Sequence, residues 1–265
     1  MHPMLNTAVK AARLAGNIIL RYSDQLERLA IETKGRNDFV SEVDHHAEAE
    51  IVRVIQAAYP GHAILAEESG HQEGNEYLWV IDPLDGTTNY LHGYPHYAVS
   101  IALKHRDRFE QAVVFDPLRN ELFTASRGQG AQMNGRRIRV SQVASLTLAL
   151  LGTGFPFRAH KHLEVWINTF RTLLTETSGV RRAGSAALDL AHVACGRLDG
   201  FWELGLSPWD IAAGALLIEE AGGLIADFRG GQDYLQSGNV VAGNPEIYSK
   251  MLPLIQSQLP AELRS

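Results

Sequence analysis

A single cysteine, Cys195, in 265 residues excludes an intrachain disulfide and any thiolate metal cluster within one chain. A reducing compartment fits, and the expectation is a cytoplasmic protein. No apolar run approaches the ~20 residues of a membrane span, and Met1-His2-Pro3-Met4 opens no charged and apolar leader. Neither secretion nor membrane insertion is expected. Positive charge is also short: 24 Lys and Arg against 30 Asp and Glu leave a net charge of −6. That balance argues against a broad electrostatic footprint on nucleic acid. The basic run Arg136-Arg137-Ile138-Arg139 reads as a solvated hairpin edge instead. Internal repeats and low-complexity linkers are missing, and Gly152-Thr153-Gly154 lacks the third glycine of a dinucleotide loop. With 45% hydrophobic residues the chain has material for a substantial core, in one large domain or two smaller ones.

What is present is concentrated between Leu78 and Asn89. Leu78-Trp79-Val80-Ile81 reads as a short interior strand, and Pro83, having no N–H, should end its ladder. Asp82 and Asp85 then sit at the strand's mouth, where two carboxylates repel unless a cation lies between them. Hard oxygen ligands of this kind suit Mg²⁺ or Mn²⁺. Gly86 lets the backbone approach a ligand, and Thr87 and Thr88 open a short helix that Gly93 ends, so N–H groups would face an anion beside the metal. Two other readings compete. Asp-Pro-x-Asp-Gly is good turn chemistry by itself. The pattern also approaches the dehalogenase phosphatase signature, whose first Asp is a nucleophile; there the acids are two apart. With a strand period of two, a spacing of three does not keep both acids on one side, so covalent aspartyl catalysis is set aside.

Further acids strengthen the cation reading. Ala63-Ile64-Leu65-Ala66 is a second short strand closed by Glu67-Glu68-Ser69-Gly70, so two acidic strand ends could meet in space. At least one of Glu67 and Glu68 reads equally as part of a solvated turn. Ser207-Pro208-Trp209-Asp210 precedes the apolar helix beginning at Ile211, with Ser207 as N-cap and Asp210 in a capping-box position. The sequence leaves Asp210 equally a cap and a cation ligand.

Periodicity organises the rest. Leu5, Ala8, Val9, Ala12, Ala15, Ile19 and Tyr22 share one helical face, as do Ala47, Ile51, Val54, Ile55 and Ala58. Strands at 97–103, 111–115 and 121–125, joined by turns at Asp107, Pro117 and Asn120, make a mostly antiparallel meander. The second half alternates differently: strand 146–151, helices 162–174, 185–195 and 208–221, and short strands at 224–226 and 240–242. The change near Val140 to Ser145 suggests a boundary, giving an N-terminal α+β part (1–142) and a C-terminal α/β part (143–265).

Asp82-Pro83-Leu84-Asp85-Gly86-Thr87-Thr88-Asn89, the Glu67-Glu68 pair, and Trp209-Asp210 followed by Glu219, Ala221, Gly222 and Gly223 resemble the inositol monophosphatases, within the lithium-sensitive sugar phosphatase superfamily. The likeness covers nearly the whole chain. Runs 115–123, 127–131, 152–157 and 184–191 make it most similar to the bacterial inositol-1-monophosphatase branch. The resemblance implies a mixed α/β, layered αβαβα sandwich of the inositol monophosphatase and fructose bisphosphatase type, with the site between its halves. It implies that Glu67, Asp82, Asp85, Asp210 and the Leu84 carbonyl hold two Mg²⁺ ions, replaceable by Mn²⁺. Asp38 and Asp44, with Lys34 on a polar loop nearby, resemble positions around a weaker third cation site; Ser41 to Asp44 is also a plain helix-start pattern. Glu67 and Thr87 would orient a metal-activated water, and Gly86 and Thr87 would hold the phosphate. Asp85, Ala186, Glu203 and Asp210 would meet the sugar, although Ser185 beside Ala186 reads first as an N-cap. The implied activity is hydrolysis of inositol 1-phosphate and related polyol phosphates by a lithium-sensitive homodimer. The alternatives are a nucleotide 3′-phosphate, fructose bisphosphate or histidinol phosphate as substrate. Another is a non-catalytic protein-partner role in transcription antitermination.

Overall fold

The computed structural model describes residues 2–24, 26, 31–35, 38–156, 162–260 and 263, with backbone only over 31–40. Pro3 at N1 and the His2 ring accepting the Met4 N–H start α1 (Pro3–Ser23), whose apolar stripe from Leu5 to Ile19 is buried. A two-stranded hairpin follows, β1 (Ile31–Gly35) and β2 (Asp38–Ser41). The sequence suggested a polar loop here. Ile31-Glu32-Thr33-Lys34 carries no apolar alternation to signal a strand. Helix α2 (Glu42–Ala58) then buries Val43, Ala47, Ile51, Val54 and Ile55 against α1, while Ala58 stays exposed.

Eight strands form the larger sheet: β3 (Ala63–Ala66), β4 (Gly70–Gln72), β5 (Tyr77–Asp85), β6 (Ala98–His105), β7 (Arg108–Asp116), β8 (Glu121–Ser126), β9 (Gly130–Met133) and β10 (Arg136–Arg137), with α3 (Thr87–Leu91) between β5 and β6. Spatial order is β10-β9-β8-β7-β6-β5-β3-β4, antiparallel except for β3 beside β5. Strand β5 does not stop at Pro83. Its partners run Asp82↔Ser100 and then Asp85↔Ala98, three steps against two. The missing proline N–H is absorbed by a one-residue bulge, not by ending the strand.

The smaller sheet has the order β12-β11-β13-β15-β14. Its strands are β11 (Leu150–Thr153), β12 (Gly179–Arg181), β13 (Gly200–Glu203), β14 (Leu224–Ala226) and β15 (Val240–Gly243). Between and around them lie α4 (Leu163–Glu176), α5 (Ala186–Ala194), α6 (Pro208–Ala221), α7 (Tyr234–Ser237) and α8 (Pro245–Gln258). A 3₁₀ turn takes Leu146–Leu148, so β11 begins later than the apolar run suggested. Helix α8 escaped the periodicity reading because Pro253 interrupts the spacing of Ile247, Met251 and Ile255.

The layers follow from the strand period of two. On the large sheet Trp79, Ile81, Val99, Ile101, Val113 and Phe115 face α1 and α2, whereas Val80, Ala102, Ala112, Val114 and Phe123 face α5 and α6. On the small sheet Phe201, Val240 and Ala242 face α5, and Trp202 and Val241 turn to α4 and α8. The result is an αβαβα sandwich, a mixed α/β fold whose buried middle helices α5 and α6 are apolar nearly all round.

Candidate metal and substrate site

Parallel pairing of β3 and β5, with Ala66 opposite Ile81, brings both strand ends to one edge. The Glu67 N–H donates to the Ile81 carbonyl at 3.2 Å, so Glu67 follows beside Asp82. The bulge then does what strand alternation alone does not: it turns Asp85 to the side of Asp82. The expectation that a spacing of three keeps the two acids apart is corrected by that extra residue. Helix α6 supplies the third acid. Its first turn is tied to β6 by the Ser100 hydroxyl donating to the Trp209 carbonyl at 3.2 Å. Asp82, Asp85 and Asp210 each present a carboxylate oxygen within 4.8 Å of the others. Asp82 is 1% exposed, and its carboxyl is pushed well above the usual range by burial and then by the charges of Glu67, Asp85 and Asp210.

Each acid also has structural work. Asp82 Oδ1 accepts the Leu84 N–H at 3.0 Å inside the bulge. Asp85 Oδ2 accepts the Ser185 hydroxyl at 2.6 Å and the Ala187 N–H at 2.7 Å, joining β5 to the start of α5. Asp210 accepts the Ser207 N–H at 2.7 Å, the capping bond foreseen from sequence. Ser185 likewise caps α5 through the Leu188 N–H while donating to Asp85. Asp44 is 1% exposed; its Oδ2 takes the Ser41 N–H and hydroxyl at 2.8 and 2.7 Å, and its Oδ1 lies 3.0 Å from Thr87 Oγ1. Burial raises its carboxyl against those bonds. Thr87 Oγ1 is also 3.0 Å from the Leu84 carbonyl, so one hydroxyl proton serves two acceptors.

The acids border a cavity of about 240 Å³ whose lining includes Glu67, Gly86, Thr87, Ala186 and Glu203. Gly86 has φ 94°, and a side chain there would meet the His96 carbonyl at 2.9 Å. Two lining residues escaped the sequence reading. Asp189, 2% exposed, is the one acid in the run Ala186-Ala187-Leu188-Asp189-Leu190-Ala191, and Arg182 lays its guanidinium 4.4 Å over the Phe155 ring at the rim. The lone charge in an apolar helix was the available signal for Asp189. Burial pushes its carboxyl well up, and burial followed by the Asp189 charge does the same to Glu203. Lys34 and Asp38 lie on β1 and β2, where side chains are outside the described residues. Lys34 thus stands on a strand and not on a loop.

Five alternating layers with acids gathered at the ends of β3 and β5 define a class of phosphatase fold. Residues 1–260 match the family model for the inositol monophosphatases, and the chain belongs to that family. It is similar to the Nus factor SuhB of Pseudomonas aeruginosa, 55% identical over 270 residues covering all of both chains. The Nus factor SuhB of Escherichia coli K12 is 53% identical over 266 residues, again the whole of both. Among solved structures, the extragenic suppressor protein suhB of Bartonella henselae superposes with a TM-score of 0.95 at 41% identity, covering 97% of this chain and 100% of that one. The Thermotoga maritima IMPase gives a TM-score of 0.89 at 34% identity, covering 97% and 98%. No helix among the described residues is long and apolar enough to cross a membrane.

Proposed function

We propose that the protein is a Mg²⁺-dependent phosphomonoesterase acting on inositol 1-phosphate and related polyol phosphates. One observation carries the reading: three aspartates converge within 4.8 Å beside a cavity that also holds Glu203. The donor set is all carboxylate; burial and then the repulsion of Glu67, Asp85 and Asp210 raise Asp82, and a hard divalent cation relieves that repulsion. Asp82, Asp85, Asp210, Glu67 and the Leu84 carbonyl would hold two Mg²⁺, with Mn²⁺ as a substitute, and a weaker third ion would lie toward Asp38 and Asp44. When bound, the metal supplies Lewis acidity, making a water more acidic and the leaving ester oxygen less basic.

The chain's own groups do the positioning. Thr87, held between Asp44 and the Leu84 carbonyl, would orient the attacking water together with Glu67. Gly86 and Thr87 would take the phosphate oxygens. Ala186, Glu203, Asp85 and Asp210 would face the alcohol, leaving no protein nucleophile necessary.

Phosphate release from inositol 1-phosphate, glycerol 2-phosphate, a nucleotide 3′-phosphate, fructose bisphosphate and histidinol phosphate, with and without Mg²⁺, tests the reading. Hydrolysis should need Mg²⁺, favour inositol 1-phosphate, and fall roughly a thousandfold or more in Asp82→Asn and Asp85→Asn. Metal-independent turnover would sink it. A preference for another ester keeps the chemistry and moves the substrate.

A second reading is favoured by the name of the full-length relatives, Nus factor SuhB. In it the folded chain, as a cytoplasmic homodimer, joins a transcription antitermination complex through protein contacts, consistent with a net charge of −6. Pull-down with Asp85→Asn separates the roles, since binding that survives loss of turnover assigns it to another surface.

A further inference from the structure

The sequence run Gly152-Thr153-Gly154 lacks the third glycine of a dinucleotide loop, and the structure gives its last glycine a use of another kind. Residues two apart on a strand face one side. A Cβ on Gly154 would lie within about 2 Å of the Glu203 carboxylate, while one on Gly152 would meet Leu198 and Phe201 first, at 2.9 and 3.2 Å, with the Asp189 carboxyl carbon in ordinary contact at 3.5 Å. Gly154, just past β11, therefore leaves room for the acid from β13, and Asp189 reaches the same cavity from α5. Thr153 points the other way, where its Oγ1 accepts the Trp166 indole N–H at 3.1 Å. Asp189 is 2% and Glu203 6% exposed, and both line the cavity. Among the described residues no donor lies within hydrogen-bond distance of either carboxyl group.

Carboxyl oxygens without donors are costly to leave unsatisfied, more so when charged. Facing a cavity, they are groups waiting for a ligand's donors. We propose that Asp189 and Glu203 form a paired subsite for the alcohol half of the substrate, each accepting from one of two neighbouring hydroxyls, with Asp189 a specificity-determining residue. This rests on the polyol-phosphatase reading above and adds to it a demand for a diol. An ester of a simple alcohol leaves both acceptors unsatisfied, and a site built around hydroxyl acceptors discriminates strongly against analogues without them. An ammonium group would also satisfy the acids, but the Arg182 guanidinium, stacked on Phe155 at the rim, already supplies a positive charge that acts on both of them. The occupant is a neutral polyol.

The test compares kcat/KM for inositol 1-phosphate, methyl phosphate and ethanolamine phosphate in the Mg²⁺-loaded wild type, Asp189→Asn and Asp189→Leu, with thermal melting on the same preparations. The preference for inositol 1-phosphate over methyl phosphate should fall roughly 10- to 150-fold in Asp189→Leu and less in Asp189→Asn, mostly through KM. An unchanged preference while both rates drop together makes Asp189 structural and overturns the proposal. So does a wild type that favours ethanolamine phosphate, which turns the pair into a cation subsite. If neither variant folds, the wild-type ranking decides, equal rates on inositol and methyl esters being the adverse result. Should the wild type hydrolyse none of the three, the phosphatase reading fails first. Calorimetry of inositol with phosphate and Mg²⁺ then tests the subsite alone: Asp189→Asn should weaken binding at least several-fold, and equal affinities would refute it.

Discussion

Asp210 caps a helix and completes an acidic cluster with the same carboxylate, and Asp85 bridges to α5 while facing the same cluster. Replacing a residue with double duty disturbs local structure along with chemistry, so a residue with no side chain adds an independent probe. Gly154 is one. A methyl group there would sit 1.9 Å from Glu203 Oε1, and the carboxylate must move out of its seat. Gly154→Ala should therefore reduce the kcat/KM ratio of inositol 1-phosphate over methyl phosphate roughly 10- to 150-fold, as Glu203→Gln should by losing a charge-assisted hydrogen bond. An unaltered ratio would show that Glu203 yields without consequence. Legibility at this scale divides by locality. Asp82, Asp85 and Asp210 could be picked out because a strand end or a helix start beside each is written within a few residues of it. Asp189 showed only as the lone acid of an apolar helix, and its use stayed hidden because Glu203 lies on a strand outside its own segment and only the fold juxtaposes them.

Helix α2 works as a bracket. Asp44 and Glu48, one turn apart and both buried, face different strand ends: Asp44 reaches Thr87 beyond β5, and Glu48 accepts the Glu68 and Ser69 N–H groups beyond β3, each at 2.8 Å. The helix thereby sets how far Glu67 stands from the aspartates. Glu48→Gln exchanges one acceptor oxygen for a donor facing an N–H, and a few kcal/mol would be lost. We expect the Mg²⁺ concentration for half-maximal activity to rise about tenfold with a smaller change in kcat, and the melting temperature to drop by several degrees. A lower melting temperature with the Mg²⁺ response intact would reduce Glu48 to a scaffold residue. Most of the long elements announced themselves through a period of 2 or 3.6, α8 with its internal Pro253 excepted, whereas β4, β10 and β12, of two or three residues, offer no full cycle to read. The bulge at Pro83 was hidden for another reason. A proline says that a ladder bond is missing, not whether the strand ends there or steps over it.

Three buried cores separate the five layers, and the middle one holds side chains from both sheets. Near its edge, where the loop after α3 meets α5, His96 and His192 lie with ring centroids 6.0 Å apart. Burial, followed by the charge of Arg119 for one and of Arg197 for the other, pushes both down to about 4. Nε2 of His96 is buried without a partner among the described residues. An unfolded chain protonates its histidines near pH 6.5, so the stability they contribute is complete above that value and is lost as pH falls toward 4. His96→Leu should flatten the decline in melting temperature between pH 6.5 and 4.5, and curves that stay parallel would remove the pair from acid denaturation. The same middle core bears on the proposed boundary at 142. Val80, Ala112 and Phe123 precede it, Leu190, Phe201 and Leu216 follow it, and all meet in one cluster, while Ala144, Ser145, Thr147 and Leu148 on the connecting stretch are exposed. A protease cut between Ala144 and Leu148 would expose little that was covered. The two pieces would remain one particle, but folding would have become a bimolecular event. What the intact peptide contributes there is effective concentration: the nicked protein should hold together at micromolar levels and come apart on dilution, with its phosphatase site divided between the fragments.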